Sequence, residues 1–187
     1  DKKRFFSLLK RNFLFYLSRK FDYPFVAPDT VQINFTFRCN LRCRMCSMYD
    51  RLQSLKAENR PYELDIPTIK KVIREAFQMG VRSLILIGGE PFLEPRLFEL
   101  VSFANQCGVS GITVVTNGTL FSEEIIKKMF ASNLNNLSVS IDAATEAAYS
   151  KIRGENVFKK MIDNINLINT LKNKENRTFP NICSVCT

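Results

Sequence analysis

Short apolar runs alternate along this chain with longer segments of helical periodicity, and that alternation leaves few architectures open. Val31-Gln32-Ile33-Asn34-Phe35-Thr36-Phe37 has the two-residue period of a strand. Asp65 stands where a helix cap is wanted, ahead of Ile66, Ile69, Val72, Ile73, Ala76 and Phe77 at helical spacing, and Gly80 supplies a stop. Ser83-Leu84-Ile85-Leu86-Ile87 reads as a buried strand closed by Gly88-Gly89-Glu90-Pro91, and Leu97, Leu100, Val101 and Ala104 mark a helix that ends near Gly108. Residues 112–115 predict a third strand running into Thr116-Asn117-Gly118. Ser122 opens the next helix, with Glu123 and Glu124 in its first turn, where the helix dipole favours negative charge. Residues 137–142 predict a fourth strand, Phe158, Met161, Ile162, Ile165 and Ile168 the helix after it, and residues 182–185 a fifth strand. Four strand-helix units and a fifth strand imply an α/β domain on a parallel sheet with right-handed crossovers, either an open doubly wound sheet or a barrel. In both, ligands gather at the C-terminal strand ends. The unusual residues of this chain lie there: a cysteine loop after strand 1, the double glycine after strand 2, Thr116-Asn117-Gly118 after strand 3 and Ser140-Ile141-Asp142 ending strand 4.

At 187 residues and 45% hydrophobic, the chain can bury a core of its own. No apolar run approaches the roughly 20 residues of a membrane-spanning helix, and the N-terminus has no signal-peptide core, so a soluble, cytoplasmic protein is expected. Histidine is absent. Its absence removes Ser-His and Cys-His nucleophile pairs, His-ligated zinc and imidazole acid/base chemistry, and no side chain stands out as a protein catalyst.

The net charge of +9 is concentrated at one end. Lys2, Lys3, Arg4, Lys10, Arg11, Arg19 and Lys20 stand against Asp1, so residues 1–20 carry +6 and the rest of the chain only +3. No nucleic-acid partner is expected of so balanced a body. Phe5, Leu9, Phe13 and Leu17 recur at helical spacing among those charges. We expect residues 1–29 to be a basic amphipathic helix and linker with its aromatic side buried on the domain of residues 30–187; the alternative is that residues 1–20 touch an anionic membrane surface.

Cys39, Cys43 and Cys46 are separated by three and then two residues. Three soft thiolates so close in one loop suit an iron-sulfur cluster. Zinc is the rival, but a structural zinc site wants four ligands and no histidine can complete the set. A cubane on three cysteines leaves one iron open for chemistry, whereas an electron-transfer cluster normally has all four positions closed. Arg38, Arg42 and Arg44 interleave the cysteines and would offset an anionic cluster.

Cys39-Asn40-Leu41-Arg42-Cys43-Arg44-Met45-Cys46, with Gly88-Gly89-Glu90-Pro91, Thr116-Asn117-Gly118, Ser140-Ile141-Asp142 and Tyr149-Ser150-Lys151-Ile152-Arg153-Gly154, resembles the radical S-adenosylmethionine (radical SAM) superfamily. Within it the last stretch is similar to the branch holding peptide-modifying enzymes with SPASM-type domains and the molybdenum-cofactor-biosynthesis enzyme. The resemblance implies a partial parallel (β/α)6-type barrel, truncated after strand 5. It also implies a [4Fe–4S] cluster on Cys39, Cys43 and Cys46, whose open iron is chelated by S-adenosyl-L-methionine (SAM). An electron from an external flavodoxin- or ferredoxin-type donor would cleave SAM to a 5′-deoxyadenosyl radical, which abstracts hydrogen from an unknown substrate, a peptide or protein in part of the branch. By the same resemblance Gly88, Gly89 and Glu90 would face the methionine ammonium and Ser140 and Arg153 its carboxylate, with Asn117 and Asp142 lining the site. Met45 stands where the family usually has an aromatic residue; its flexible thioether can still cover an adenine face. The competing reading is an iron-sulfur electron-transfer protein without SAM chemistry.

Cys107, near a helix end, is expected to be a buried small side chain. Cys183 and Cys186, three apart in a strand, should point to opposite faces and hold no second cluster. The sequence starts with Asp1 and stops at Thr187 inside the fifth strand, which suggests a fragment of a longer protein.

Overall fold

The computed structural model describes residues 2–154 and 156–185. The elements are α1 (Lys2–Phe21), β1 (Thr30–Asn34), α2 (Met48–Ala57), α3 (Ile66–Gln78), β2 (Ser83–Ile87), a short 3-10 turn (Pro91–Leu93), α4 (Leu97–Gln106), β3 (Gly111–Thr116), α5 (Glu123–Ala131), β4 (Asn136–Ser140), α6 (Glu146–Arg153), α7 (Phe158–Lys174) and β5 (Asn181–Val185). The five strands form one parallel sheet in the order β1-β2-β3-β4-β5. A doubly wound sheet reverses its strand order at a switch point. Here every crossover steps one strand in the same direction, so the sheet is the wall of a partial (β/α) barrel.

The two faces of that wall differ. Leu84, Leu86, Ile112, Val114, Leu137 and Val139 are buried with Ile69, Ile73, Leu97, Leu100, Ile126, Met129 and Met161 of the helices. In β2, Ser83, Ile85 and Ile87 alternate with them and are only partly covered. The helices start where their polar residues can cap them. Asp65 accepts from the Thr68 hydroxyl at 2.6 Å and from the Thr68 N–H at 2.9 Å, which together hold the Asp65 carboxyl below its ordinary pKa, and Ser122 accepts from the Ile125 N–H at 3.3 Å.

Three features depart from the sequence expectations. Strand β1 ends at Asn34 rather than residue 37, because residues beyond it turn their hydrogen bonds to a second neighbour: Leu64 N–H donates to Phe35 O and Phe37 N–H to Tyr62 O. Similarly β4 ends at Ser140 and leaves Asp142 in the loop. Helices α2 and α6 have no counterpart in the apolar periodicity. They bury only Leu52 and Leu55, and Tyr149 and Arg153, respectively, too few positions to repeat.

The third concerns α1. The helix is there, but its aromatic side is not buried: Phe5, Phe6, Leu9 and Phe13 are all exposed, Phe6 to 66%. The reason is that, among the described residues, no sheet-covering helix packs extensively against α1, and its turn onto β1 is held by a few polar contacts.

Candidate active site

The chain leaves β1 beside the double glycine that closes β2. Gly89 N–H donates to Thr36 O at 2.8 Å and Glu90 N–H to Arg38 O at 2.7 Å, so two loops run together past the ends of their strands. A Cβ on Gly88 would stand 2.5 Å from Thr36 O, and one on Gly89 would overlap the Arg38 carbonyl. The glycines are required because backbone, not side chain, lies against them. This contact starts the cysteine loop from a fixed point at Arg38, directly before Cys39.

The far end of the loop is fastened to α6. Arg44 N–H donates to Arg153 O at 3.0 Å, and Gly154, in the left-handed conformation at φ +76°, lies so close that a Cβ would meet Arg44 Cγ at 2.8 Å. In the middle, Asn40 joins the loop after β3: Asn117 Nδ2 donates to Asn40 Oδ1 and Asn40 Nδ2 to Thr119 Oγ1, both at 2.9 Å. The loops after β2 and β3 and the C-terminus of α6 therefore hold one cysteine loop.

Cys39, Cys43 and Cys46 line a single cavity of about 340 Å³ together with Met45, Gly88, Gly89, Asn117, Ser140 and Arg153. That volume is within the range of small-molecule sites, about 300–1,000 Å³. Nitrogen donors approach two of the sulfurs. Cys39 Sγ receives the Leu41 N–H at 3.4 Å and Asn117 Nδ2 at 3.9 Å, and Arg153 Nη1 lies 3.5 Å from Cys43 Sγ. Burial pushes the Cys39 thiol above its ordinary pKa; the Leu41 N–H opposes this, and Glu90, Cys43 and Cys46 add to it.

Two of the expected site residues stand behind the cavity wall. Glu90 is fully buried, accepting from Thr116 Oγ1 and the Asn117 N–H at 2.8 Å and from the Phe92 N–H at 3.2 Å. Burial raises its pKa, an effect that those three donors only partly offset. Asp142 pairs with Arg153 Nε, the two side chains being 3% and 8% exposed. Their carboxylates hold other residues of the wall in place: Glu90 the loop after β3, Asp142 the guanidinium. Sequence reasoning did not single out Thr116, Ser47, Met48 or Tyr49, which also line the cavity. Tyr49, with Arg42 stacked on its ring at 4.3 Å, was detectable only as an aromatic residue three positions past the last cysteine.

Cys107 caps the C-terminus of α4 and is half-buried against the core. Cys183 is exposed in β5, its Sγ 3.6 Å from Leu137 O, whereas Cys186 lies outside the described residues.

The family model for the radical SAM superfamily matches residues 33–182, and the chain belongs to that superfamily. It is 34% identical over 129 residues to the AdoMet-dependent heme synthase of Methanosarcina barkeri, covering 68% of this chain and 35% of that protein. Over 127 residues it is 32% identical to the PqqA peptide cyclase of Gluconobacter oxydans, covering 68% of this chain and 34% of the relative. The chain thus spans about a third of the length of these relatives. Among solved structures, Streptococcus suis SuiB bound to S-adenosylmethionine superposes with a TM-score of 0.62 at 16% identity over 89% of this chain and 35% of that one, a likeness of fold. The superfamily's cofactors are a [4Fe–4S] cluster and SAM.

The side chains present fit such a pair. Three thiols on one wall are soft donors for iron. Among the described residues no three Cys, Asp or Glu side chains close on a point that a single ion could occupy. A cubane, far wider than one ion, takes its cysteines at separate corners. Lining the same cavity, a guanidinium, a serine hydroxyl and a glycine pair offer partners to an amino acid's two charged ends.

Proposed function

We propose that this chain forms the core of a radical SAM enzyme, with the cluster on Cys39, Cys43 and Cys46 and SAM in the cavity beside them. One observation carries the reading: the three thiols share a cavity with residues from the ends of β2, β3 and β4 that differ in chemistry and suit a zwitterion. When bound, the two groups supply reductive cleavage of SAM and hydrogen-atom abstraction from a substrate.

The chain's own residues bind and position. Arg153 has five N–H donors; Asp142 and Cys43 engage two, leaving donors for the methionine carboxylate beside Ser140. Glu90, behind the wall, fixes Thr116 and Asn117, while Gly88 and Gly89, which line the cavity, are placed to meet the ammonium. Asn117 and the Leu41 N–H donate toward Cys39, the kind of hydrogen bonding that tunes a cluster's potential. Met45, 44% exposed on the cavity wall, covers the adenine.

The reductant in this reading is a flavodoxin- or ferredoxin-type protein and the location the cytoplasm. The substrate is a peptide or protein. The PqqA peptide cyclase supports this class, whereas the heme synthase shares the chemistry on a different molecule by its name.

Anaerobic reconstitution tests the reading. About four irons should bind per chain, and dithionite-reduced protein should release 5′-deoxyadenosine from SAM. Replacing Cys39, Cys43 and Cys46 together by Ala should abolish both. A full cluster that neither binds nor cleaves SAM would select the electron-transfer reading instead.

A further inference from the structure

Helix α1 is the largest part of the molecule that the candidate site leaves unused. Its half-buried positions, Arg11, Leu14, Leu17 and Ser18, follow one another at helical steps on one side. Arg11 pairs there with Asp29, and the Phe25 N–H donates to Ser18 Oγ at 3.0 Å, so this side is fastened to the segment leading into β1. On the opposite side Phe5, Leu9, Phe13 and Tyr16 recur at steps of four, four and three, with Phe6 beside them. All five are exposed, and on a helix they form a stripe about 100° wide. Lys10 lies at one edge of that stripe, Arg19 at the other, and Lys20 a turn beyond Tyr16, each exposed.

The character of the stripe points to its partner. Residues 1–20 carry +6 of the chain's +9, so whatever covers α1 must accept positive charge around an apolar strip. A second copy would set +6 against +6 and is disfavoured by repulsion. No helix among the described residues is long and apolar enough to cross a membrane. A strip of Phe, Leu and Tyr edged by Lys and Arg matches the boundary between acidic headgroups and acyl chains, where rings bury and charges stay wet. We propose that α1 lies in the plane of an anionic membrane surface, the Phe5–Leu9–Phe13–Tyr16 stripe inserted and the flanking basic residues on the headgroups. This holds whether or not the cavity binds SAM.

Co-sedimentation with vesicles reads the proposal directly. The chain should pellet with vesicles of about one-third phosphatidylserine in phosphatidylcholine, at least about tenfold more strongly than with phosphatidylcholine alone, and less as salt is raised. Phe5→Ser with Phe13→Ser should weaken partition about tenfold or more, and Lys10→Gln or Lys20→Gln about fivefold each. Helix content by circular dichroism identifies variants that keep α1, and the two lysine variants test the charge separately from the stripe. Equal binding to both vesicle types, no binding to either, or unchanged partition of the double serine variant overturns the proposal. A dimer that Phe13→Ser converts to a monomer, without vesicle binding by the parent, overturns it in favour of a second copy.

Discussion

The rim around the cysteine loop and helix α1 treat similar side chains in opposite ways. At the rim, Glu90, Asp142 and Arg153 are ionisable and yet shielded from water, Glu90 held by the loop after β3 and Asp142 and Arg153 by each other. On α1, Phe5, Phe6 and Phe13 are among the most apolar side chains of the chain and yet stand in solvent. Residue type sets only what burial costs or yields. Whether it happens depends on what the fold brings alongside: backbone donors and a counter-ion at the rim, and, among the described residues, no apolar surface over the Phe5–Phe13 side of α1.

If that contrast is right, changes at the rim should damage the fold and changes in α1 should not. The largest effect is expected of Arg153→Met, which leaves the Asp142 carboxylate buried without its cation. Denaturant titration should show a loss of about 3–5 kcal/mol, and a loss below that of an ordinary surface change would mean that water reaches the pair.

Gly89→Ala comes next, at about 3 kcal/mol, because the new methyl meets backbone that cannot step aside. Gly111→Ala is its control: the nearest atom there is Ser83 Oγ at 3.2 Å, the end of a side chain that can rotate, and near-neutral behaviour is expected.

Glu90→Gln should cost about 2 kcal/mol, since an amide nitrogen would face the Asn117 or Phe92 N–H in place of an acceptor. It also has a pH signature. Because burial raises the Glu90 pKa in the folded state, its protonated form is the favoured one. The stability of the parent relative to Glu90→Gln should be highest below the ordinary carboxyl range of about 4.3 and decline as pH rises through the raised value. A relative stability that instead grows with pH would mean that the three donors outweigh burial.

Removing residues 1–20 is expected to have the smallest effect, within about 1 kcal/mol in thermal or denaturant unfolding. A loss of several kcal/mol would show that α1 is packed on the domain in solution and would erase the contrast.

Much of this was legible in the order of residues. The cysteine spacing, the Gly-Gly-Glu-Pro turn and the alternation of strands and helices are local signals, because each depends on neighbours within a turn or a pleat. They located β2, the three loops and the caps at Asp65 and Ser122. Helices α2 and α6 escaped because each buries only two residues and has no periodic face to read. Thr116, Thr119 and Asn40 escaped because an isolated Thr or Asn carries no mark of its partner, which for Asn40 is Thr119, 79 positions away.

By itself, then, the sequence determined which residue types occur at each strand end and, through the cysteine spacing, what soft chemistry one loop can offer. Its periodicity left a doubly wound sheet and a barrel wall both open, and only the family resemblance implied the barrel that the strand order bears out, since that order depends on which strands pair rather than on what they contain. Only the tertiary structure decided that Glu90 and Asp142 stand behind the cavity wall instead of on it, because a carboxylate turns to whichever donors the neighbouring strand ends present. It also left the aromatic side of α1 exposed, because hydrophobic burial requires a second apolar surface within reach and the described residues supply none there.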